Sequence, residues 1–195
     1  METTNVKVVL RIRPLSSKER LEGSSEVIHV LPSTTQVVLN EHSFTYDAVY
    51  DESSTQQEMY SEVQNLVSRF VDGYNGTILA YGQTGSGKTF TMGTGIDGCL
   101  DSTTQGIIFR SINDIFELIA VKNREYDAIS DPNEKPSYSL YLSFIEIYNE
   151  EIIDLLSSHD YDRKFPLAIR EDSNGEIYLS GVKEEPVRSI QDIYG

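Results

Sequence analysis

The residues best suited to chemistry lie between Gly82 and Thr89. The run Gly82-Gln83-Thr84-Gly85-Ser86-Gly87-Lys88-Thr89 fits G-x-x-x-x-G-K-[ST], a pattern in which a glycine-rich turn leads from a strand into a helix. Glycine at these positions permits dihedrals and close approaches that a Cβ would block. Successive backbone N–H groups then turn inward and form a nest for phosphate oxygens. A helix beginning near Lys88 adds unpaired N–H groups and the positive end of its dipole. In such a loop Lys88 bridges the β- and γ-phosphates of a nucleotide, and the Thr89 hydroxyl is the Mg²⁺ ligand.

Other reactive side chains offer less. Glu146, Glu150, Glu151 and Asp154 form an acidic cluster that reads as a solvated helix face with one buried partner rather than as paired catalytic carboxylates. His29, His42 and His159 are scattered without metal-type spacing. Cys99 is the only cysteine; it falls in a loop, and no neighbour would activate its thiol.

The elements that must carry the phosphate loop are legible as alternating strands and helices. Thr77–Tyr81 is a brief apolar run that reads as the strand before the loop, and Lys88 onward reads as the helix after it. Val6–Arg13 is β-branched and ends at Pro14, which predicts a strand. Gln36–Leu39 and Phe44–Tyr46 read as strands around the turn Asn40-Glu41-His42. Thr55 with Glu58 predicts a capping box, followed by one helix carrying Met59, Val63, Leu66, Val67, Phe70 and Val71 up to Gly73. Ile107–Val121 predicts a helix with Ile108, Ile112, Ile115, Phe116 and Ile119 on one face. Tyr138–Tyr148 reads as one strand, and Glu150–Leu156 as a short helix after it. Asn174-Gly175 predicts a hairpin between Leu167–Arg170 and Ile177–Leu179, and Ser189 a helix N-cap. Thr94–Gly106 and Ile129–Ser137 read as surface loops. This order implies a layered α/β or mixed-sheet domain.

Composition narrows the partners. The chain has 195 residues with 16 Lys plus Arg against 31 Asp plus Glu, a formal net charge of −15. So acidic a surface argues against nucleic acid and against anionic membrane. The first residues show no basic leader followed by an apolar region, so no signal peptide is expected. No apolar run approaches the ~20 residues of a membrane helix. A single cysteine excludes an internal disulfide and points to a reducing compartment.

The flanks of the loop carry a family resemblance. Gly73-Tyr-Asn75-Gly-Thr-Ile-Leu-Ala-Tyr-Gly-Gln-Thr-Gly-Ser-Gly-Lys-Thr-Phe-Thr-Met92 resembles the phosphate-loop block of kinesin motor domains. Arg11-Ile-Arg13-Pro14 resembles the R-x-R-P element, and Phe44-Thr-Tyr-Asp47 with Ser54-Thr-Gln56 resembles the segment leading into the first helix. Gly106-Ile-Ile-Phe109-Arg110 resembles G-I-I-P-R, with Phe109 in place of the usual proline. Ser143-Phe-Ile-Glu146-Ile-Tyr148-Asn149-Glu-Glu-Ile-Ile-Asp154-Leu-Leu156 is similar to S-x-x-E-I-Y-N-E-x-I-x-D-L-L. Ile169-Arg-Glu-Asp172 and Gly181-Val-Lys-Glu continue the match. Among kinesins the blocks look most like N-terminal motors of the chromokinesin type.

The resemblance implies a phosphate-loop NTPase fold, α/β, with a central, mostly parallel sheet flanked by helices. It implies ATP and Mg²⁺ as ligands. It places Arg11, Arg13 and Pro14 beside the adenine and Phe90 on the other face of the base, where an aromatic suits stacking. Gly82, Gln83, Thr84, Gly85, Ser86, Gly87, Lys88 and Thr89 are then the phosphate and metal side. Kinesins supply their water-positioning and switch residues from N-x-x-S-S-R-S-H and D-L-A-G-S-E, which do not occur in these 195 residues. Residues 1–195 are therefore expected to be the N-terminal part of one motor domain, holding no catalytic residue of their own. The parent protein is expected to hydrolyse ATP and move along microtubules in the cytoplasm, on the cytoskeleton. Contact with tubulin would come from the later half of the motor domain, and dimerisation from a stalk. The alternative is a truncated nucleotide-binding or interaction module without motor activity.

Overall fold

The structure is a computed structural model that describes residues 6–31, 34–93, 103–127, 137–157 and 167–194. The chain divides into two units, Met1–Leu118 and Ile119–Gly195. The bulk of the two expected surface loops, together with Cys99 and His159, lies outside the described residues.

In the first unit, β1 (Val9–Arg11) pairs in parallel with β5 (Ala48–Tyr50), Arg11 opposite Tyr50. Asp47 closes the start of the pair: its carboxylate accepts from the Val8 N–H at 2.7 Å, and its own N–H donates to the Val8 carbonyl at 3.0 Å. The strand is shorter than the Val6–Arg13 run because the ladder extends only as far as β5 has residues to pair. Between them lie α1 (Ser17–Leu21) and an antiparallel sheet of β2 (Ile28–Val30), β3 (Gln36–Leu39) and β4 (His42–Thr45). Asn40, with φ 55°, makes the β3–β4 turn, a conformation Asn tolerates. Both α1 and α2 (Gln56–Ser61) begin with capping boxes, Ser16 with Glu19 and Thr55 with Glu58. That satisfies otherwise orphaned N–H donors.

The single helix expected after Thr55 is two helices, α2 and α3 (Gln64–Val71). At the junction Glu62 and Val63 donate to carbonyls three residues back, and Val63 has φ −113°, so the chain tightens for one turn before resuming. The Glu62 carboxylate there is held by Lys7 at 2.5 Å and by the Tyr50 hydroxyl. α4 (Lys88–Met92) follows the phosphate loop, and α5 (Ile107–Asp127) begins in this unit and crosses its boundary. The core comprises Val37, Met59, Tyr60, Val67 and Ile107. Tyr60 is 2% exposed and donates its hydroxyl to Asp114 at 2.7 Å. Burial, then that bond, pushes its ionisation far up.

Thr77–Tyr81, expected as the strand before the loop, is described but pairs with no strand among the described residues. Leu79 is 83% and Tyr81 95% exposed. A strand exists only as a member of a ladder, and without a neighbour its apolar residues and peptide groups face solvent.

In the second unit, β6 (Leu140–Leu142) pairs antiparallel with β11 (Glu185–Val187). The run Tyr138–Tyr148, expected as one strand, breaks at Ser143-Phe144 into β6 and β7 (Ile145–Tyr148). Glu150–Leu156 is not a helix. It is β8 (Glu151–Asp154), the return arm of a hairpin with β7. Asn149 and Glu150 have φ 53° and 69°, the twin positive dihedrals of a tight two-residue turn, and β-branched Ile152-Ile153 prefers the extended arm. The acidic cluster is thus on a hairpin. Asp154, buried, accepts from the Lys183 N–H at 2.6 Å and the Leu156 N–H at 2.9 Å. β9 (Ala168–Glu171) and β10 (Ile177–Ser180) form the expected hairpin, its loop tied by Asp172, whose carboxylate accepts from the Asn174 and Glu176 N–H groups. α6 (Gln191–Tyr194) follows Ser189, which caps Asp192.

Candidate functional site

The phosphate loop is built by local backbone geometry. Gly85 and Gly87 have φ 79° and 99°, a region L side chains rarely adopt. At Gly82 a Cβ would stand 2.5 Å from the Ser86 hydroxyl oxygen. A side chain at Gly85 or Gly87 would strain the backbone, and one at Gly82 would displace the Ser86 side chain. Gly87 is also the N-cap of α4, with no side-chain cap, so the first N–H groups of that helix are left for whatever the loop receives. Lys88 folds back over the loop and donates to the carbonyls of Gly82 at 2.8 Å and Gln83 at 3.0 Å. The ammonium is held inside the turn. Gln83, Thr84 and Thr89 are exposed around it.

The second cluster converges on α4 from far away in sequence. Arg11, at the end of β1, donates from Nη1 to Gln56 Oε1 at 2.8 Å and to Thr91 Oγ1 at 3.0 Å. Its Nη2 donates to the Ser54 carbonyl at 3.1 Å. The guanidinium carbon lies 5.2 Å from the centroid of the Phe90 ring, within cation–π range. Burial lowers the Arg11 pKa, with Glu58 opposing. Phe90 is 56% exposed, so the ring offers free surface beside the loop.

Arg13 goes elsewhere. Its guanidinium forks onto Glu19 at 2.5 and 2.8 Å, which raises its pKa and lowers the Glu19 carboxyl to about 2, with the Ser16 N–H and hydroxyl also contributing. Only the root of Arg13 nears the loop: its Cβ would be 3.9 Å from a Cβ at Gly87. Pro14 is exposed. Of the four base-side candidates, the structure brings Arg11 and Phe90 together. Gln56, Thr91 and Glu19 organise the site and were not singled out individually in the sequence. Gln56 was visible there only as part of the Ser54-Thr-Gln56 block. Among the described residues, no cluster of His, Cys, Asp and Glu could hold a metal ion.

Fold and loop together define a phosphate-loop domain of mixed α/β type with a parallel strand pair. The kinesin motor domain family model matches residues 11–195. The chain is 43% identical to kinesin-like protein klp-12 of Caenorhabditis elegans over 199 residues, covering 100% of this chain and 12% of that protein. It is 43% identical to kinesin-like protein KIF21B of Homo sapiens over 194 residues, covering 96% and 12%. The solved structure of a fast kinesin, described for its ATPase mechanism and interactions with microtubules, superposes with a TM-score of 0.80 at 33% identity. That match covers 97% of this chain and 50% of the other. The chain belongs to the kinesin motor domain family. It spans about an eighth of the length of these curated relatives.

Proposed function

We propose that this chain is the nucleotide-binding part of an ATP-driven motor that moves along microtubules. The observation that carries the reading is the loop itself: Lys88 held by the Gly82 and Gln83 carbonyls in a turn built on Gly85 and Gly87, within a chain that matches kinesin motor domains from residue 11 onward.

The residues present fit a Mg²⁺–nucleotide. The loop is a tight turn in which a Cβ at Gly82 would stand 2.5 Å from the Ser86 hydroxyl oxygen. Among the described residues the Lys88 ammonium has only neutral carbonyl partners there, and a phosphate would offer it stronger bonds in which both partners are charged. Lys88 would hold the β- and γ-phosphates, and Gln83 and Thr84 would line the turn through their N–H groups, while Ser86 closes it with its N–H donating to the Gln83 carbonyl at 3.1 Å. Thr89 would hold Mg²⁺, which when bound neutralises charge on the transferring phosphoryl group. Phe90 would stack on the adenine with Arg11 behind it. Arg13 and Pro14 would border the base, Arg13 through its stem while Glu19 holds its charge.

We further propose that residues 1–195 form part of a single motor domain. Exposed Leu79 and Tyr81 fit an interior strand whose neighbours come from elsewhere in the protein. Tubulin contact would then belong to the later half of the domain, which agrees with the acidity of this segment. A stalk would supply dimerisation, and the protein would work on the cytoplasmic cytoskeleton. The test is ATP turnover by the complete protein at low salt, with and without microtubules. We expect stimulation by microtubules, and about 10²–10³-fold loss of turnover in Lys88→Ala, the scale for removing one charge-stabilising donor. No stimulation overturns the motor reading; full turnover in Lys88→Ala overturns the loop assignment.

A further inference from the structure

Gln56 is 3% exposed, deeper than any residue of the phosphate loop, and the loop chemistry does not use it. Its carboxamide has one oxygen acceptor and two N–H donors, and all are taken. Oε1 accepts from Arg11 at 2.8 Å. Nε2 donates to the Phe90 carbonyl at 2.6 Å and to the Thr104 carbonyl at 3.2 Å. These partners also fix which way the amide points. Reversed, its oxygen would face two carbonyls and its NH₂ a guanidinium, acceptor against acceptor and donor against donor.

The carboxamide therefore joins the ring proposed to meet the base to the guanidinium behind it. α4 is five residues long, too short to hold its shape unaided, and its side chains do not pack into the core: Phe90 is half-exposed. What orients the ring is the backbone at Phe90, clamped by Gln56, and the Arg11 guanidinium over one face, clamped by Gln56 and by Thr91. A cation over one face leaves the other open to a flat aromatic ligand.

We infer that Gln56 is a positioning residue for base recognition: it holds Phe90 and Arg11 as a preset plate for an aromatic base and touches no part of the nucleotide. The inference rests on the nucleotide reading proposed above. It separates base from phosphate, because the phosphate cradle is made by bonds within residues 82–88, none of which involves Gln56.

The test compares ATP with inorganic tripolyphosphate, which lacks the base, as ligands of the complete protein. Gln56→Leu keeps the volume and removes all three bonds. We expect ATP to bind about tenfold more weakly, a change of about 1.4 kcal/mol, with tripolyphosphate within about twofold of wild type. A purely structural role would weaken both alike. Phe90→Ala should lose ATP affinity to a similar degree, and adding Gln56→Leu to it should cost less than about twofold more, because the ring through which Gln56 acts is gone. Equal loss of both ligands, no loss of either, or independent multiplication of the two substitutions overturns the inference. If wild type binds neither ligand, the nucleotide reading fails and takes this one with it. Should Gln56→Leu not fold, Gln56→Glu keeps the acceptor for Arg11 but turns an oxygen toward two carbonyls, and the same two-ligand comparison decides.

Discussion

Gly93 and Gly106 meet where the chain leaves α4 and returns to α5, and three glycine substitutions dissect that contact. A Cβ on Gly93 would stand 2.7 Å from both the Cα and the N of Gly106, and Gly93 has φ 83°. Gly93→Ala thus meets a backbone collision that no rotamer relieves and a left-handed dihedral as well. Gly106→Ala meets the collision alone, since Gly106 is not among the positive-φ glycines. Gly23→Ala meets the dihedral alone: φ is 76° and nothing lies within 4 Å of the added carbon. The left-handed term costs about 1–2 kcal/mol, and overpacking a site that cannot yield costs about 1–3 kcal/mol. Gly93→Ala should therefore cost about 2–5 kcal/mol, Gly106→Ala about 1–3 kcal/mol and Gly23→Ala about 1–2 kcal/mol. Amide hydrogen exchange in the complete protein reads these locally. Gly23→Ala should speed exchange of residues 17–24 about 5–30-fold and leave residues 87–93 unchanged. Gly106→Ala and, more strongly, Gly93→Ala should speed residues 87–93, including the Gly93 N–H bonded to the Thr89 carbonyl at 2.8 Å. The reasoning is refuted if Gly106→Ala is silent at residues 87–93 and Gly93→Ala costs no more than Gly23→Ala.

Tyr60→Phe removes a buried hydroxyl from Asp114 and leaves that carboxylate with Gln64 at 3.0 Å; thermal unfolding should show a loss of about 1–2 kcal/mol. Glu19→Gln tests the Arg13 fork through pH. The folded carboxyl titrates near 2 against an ordinary 4.5, so its stabilisation is complete above about pH 4.5 and is lost as pH falls toward 2. The melting difference between wild type and Glu19→Gln should shrink over that window, and a difference constant with pH would refute the assignment. Leu79→Asp should change the stability of the 195-residue chain by less than about 0.5 kcal/mol, as expected at an exposed site. In the complete protein the same substitution should be severely destabilising; equal, small effects in both would remove the case for an interior strand.

What was legible in the sequence was local. The Thr55–Glu58 capping box, the Asn174-Gly175 hairpin and the helix after the glycine-rich loop are each specified within a few residues and are present; the strand expected before the loop is not, among the described residues. The β7–β8 hairpin is not legible in the sequence because its turn is Asn149-Glu150, without the glycine that usually announces twin positive dihedrals. The break between α2 and α3 has no Gly or Pro to mark it; the bonds from Lys7 and Tyr50 that hold Glu62 at the junction are long-range. Gln56 enters the sequence reading only as the end of the Ser54-Thr-Gln56 block. Its partners lie 34, 45 and 48 residues away, so only the fold makes its burial visible.

The two sides of the phosphate loop are held by different means. On its helical side, α4 is braced by Gln56 at the Phe90 carbonyl, by Arg11 at Thr91 and by Gly106 against Gly93. On its other side, Thr77–Tyr81 belongs to no ladder among the described residues, and Lys88 donating to the Gly82 and Gln83 carbonyls ties the turn to its own helix instead. A phosphate that draws Lys88 away would release that tie. The entering strand must then be fixed by pairing with neighbours if the loop is to keep its shape around the ligand. Base recognition as proposed, resting on Arg11, Gln56 and Phe90, would be preset within this unit, whereas a rigid phosphate cradle would depend on completing the sheet.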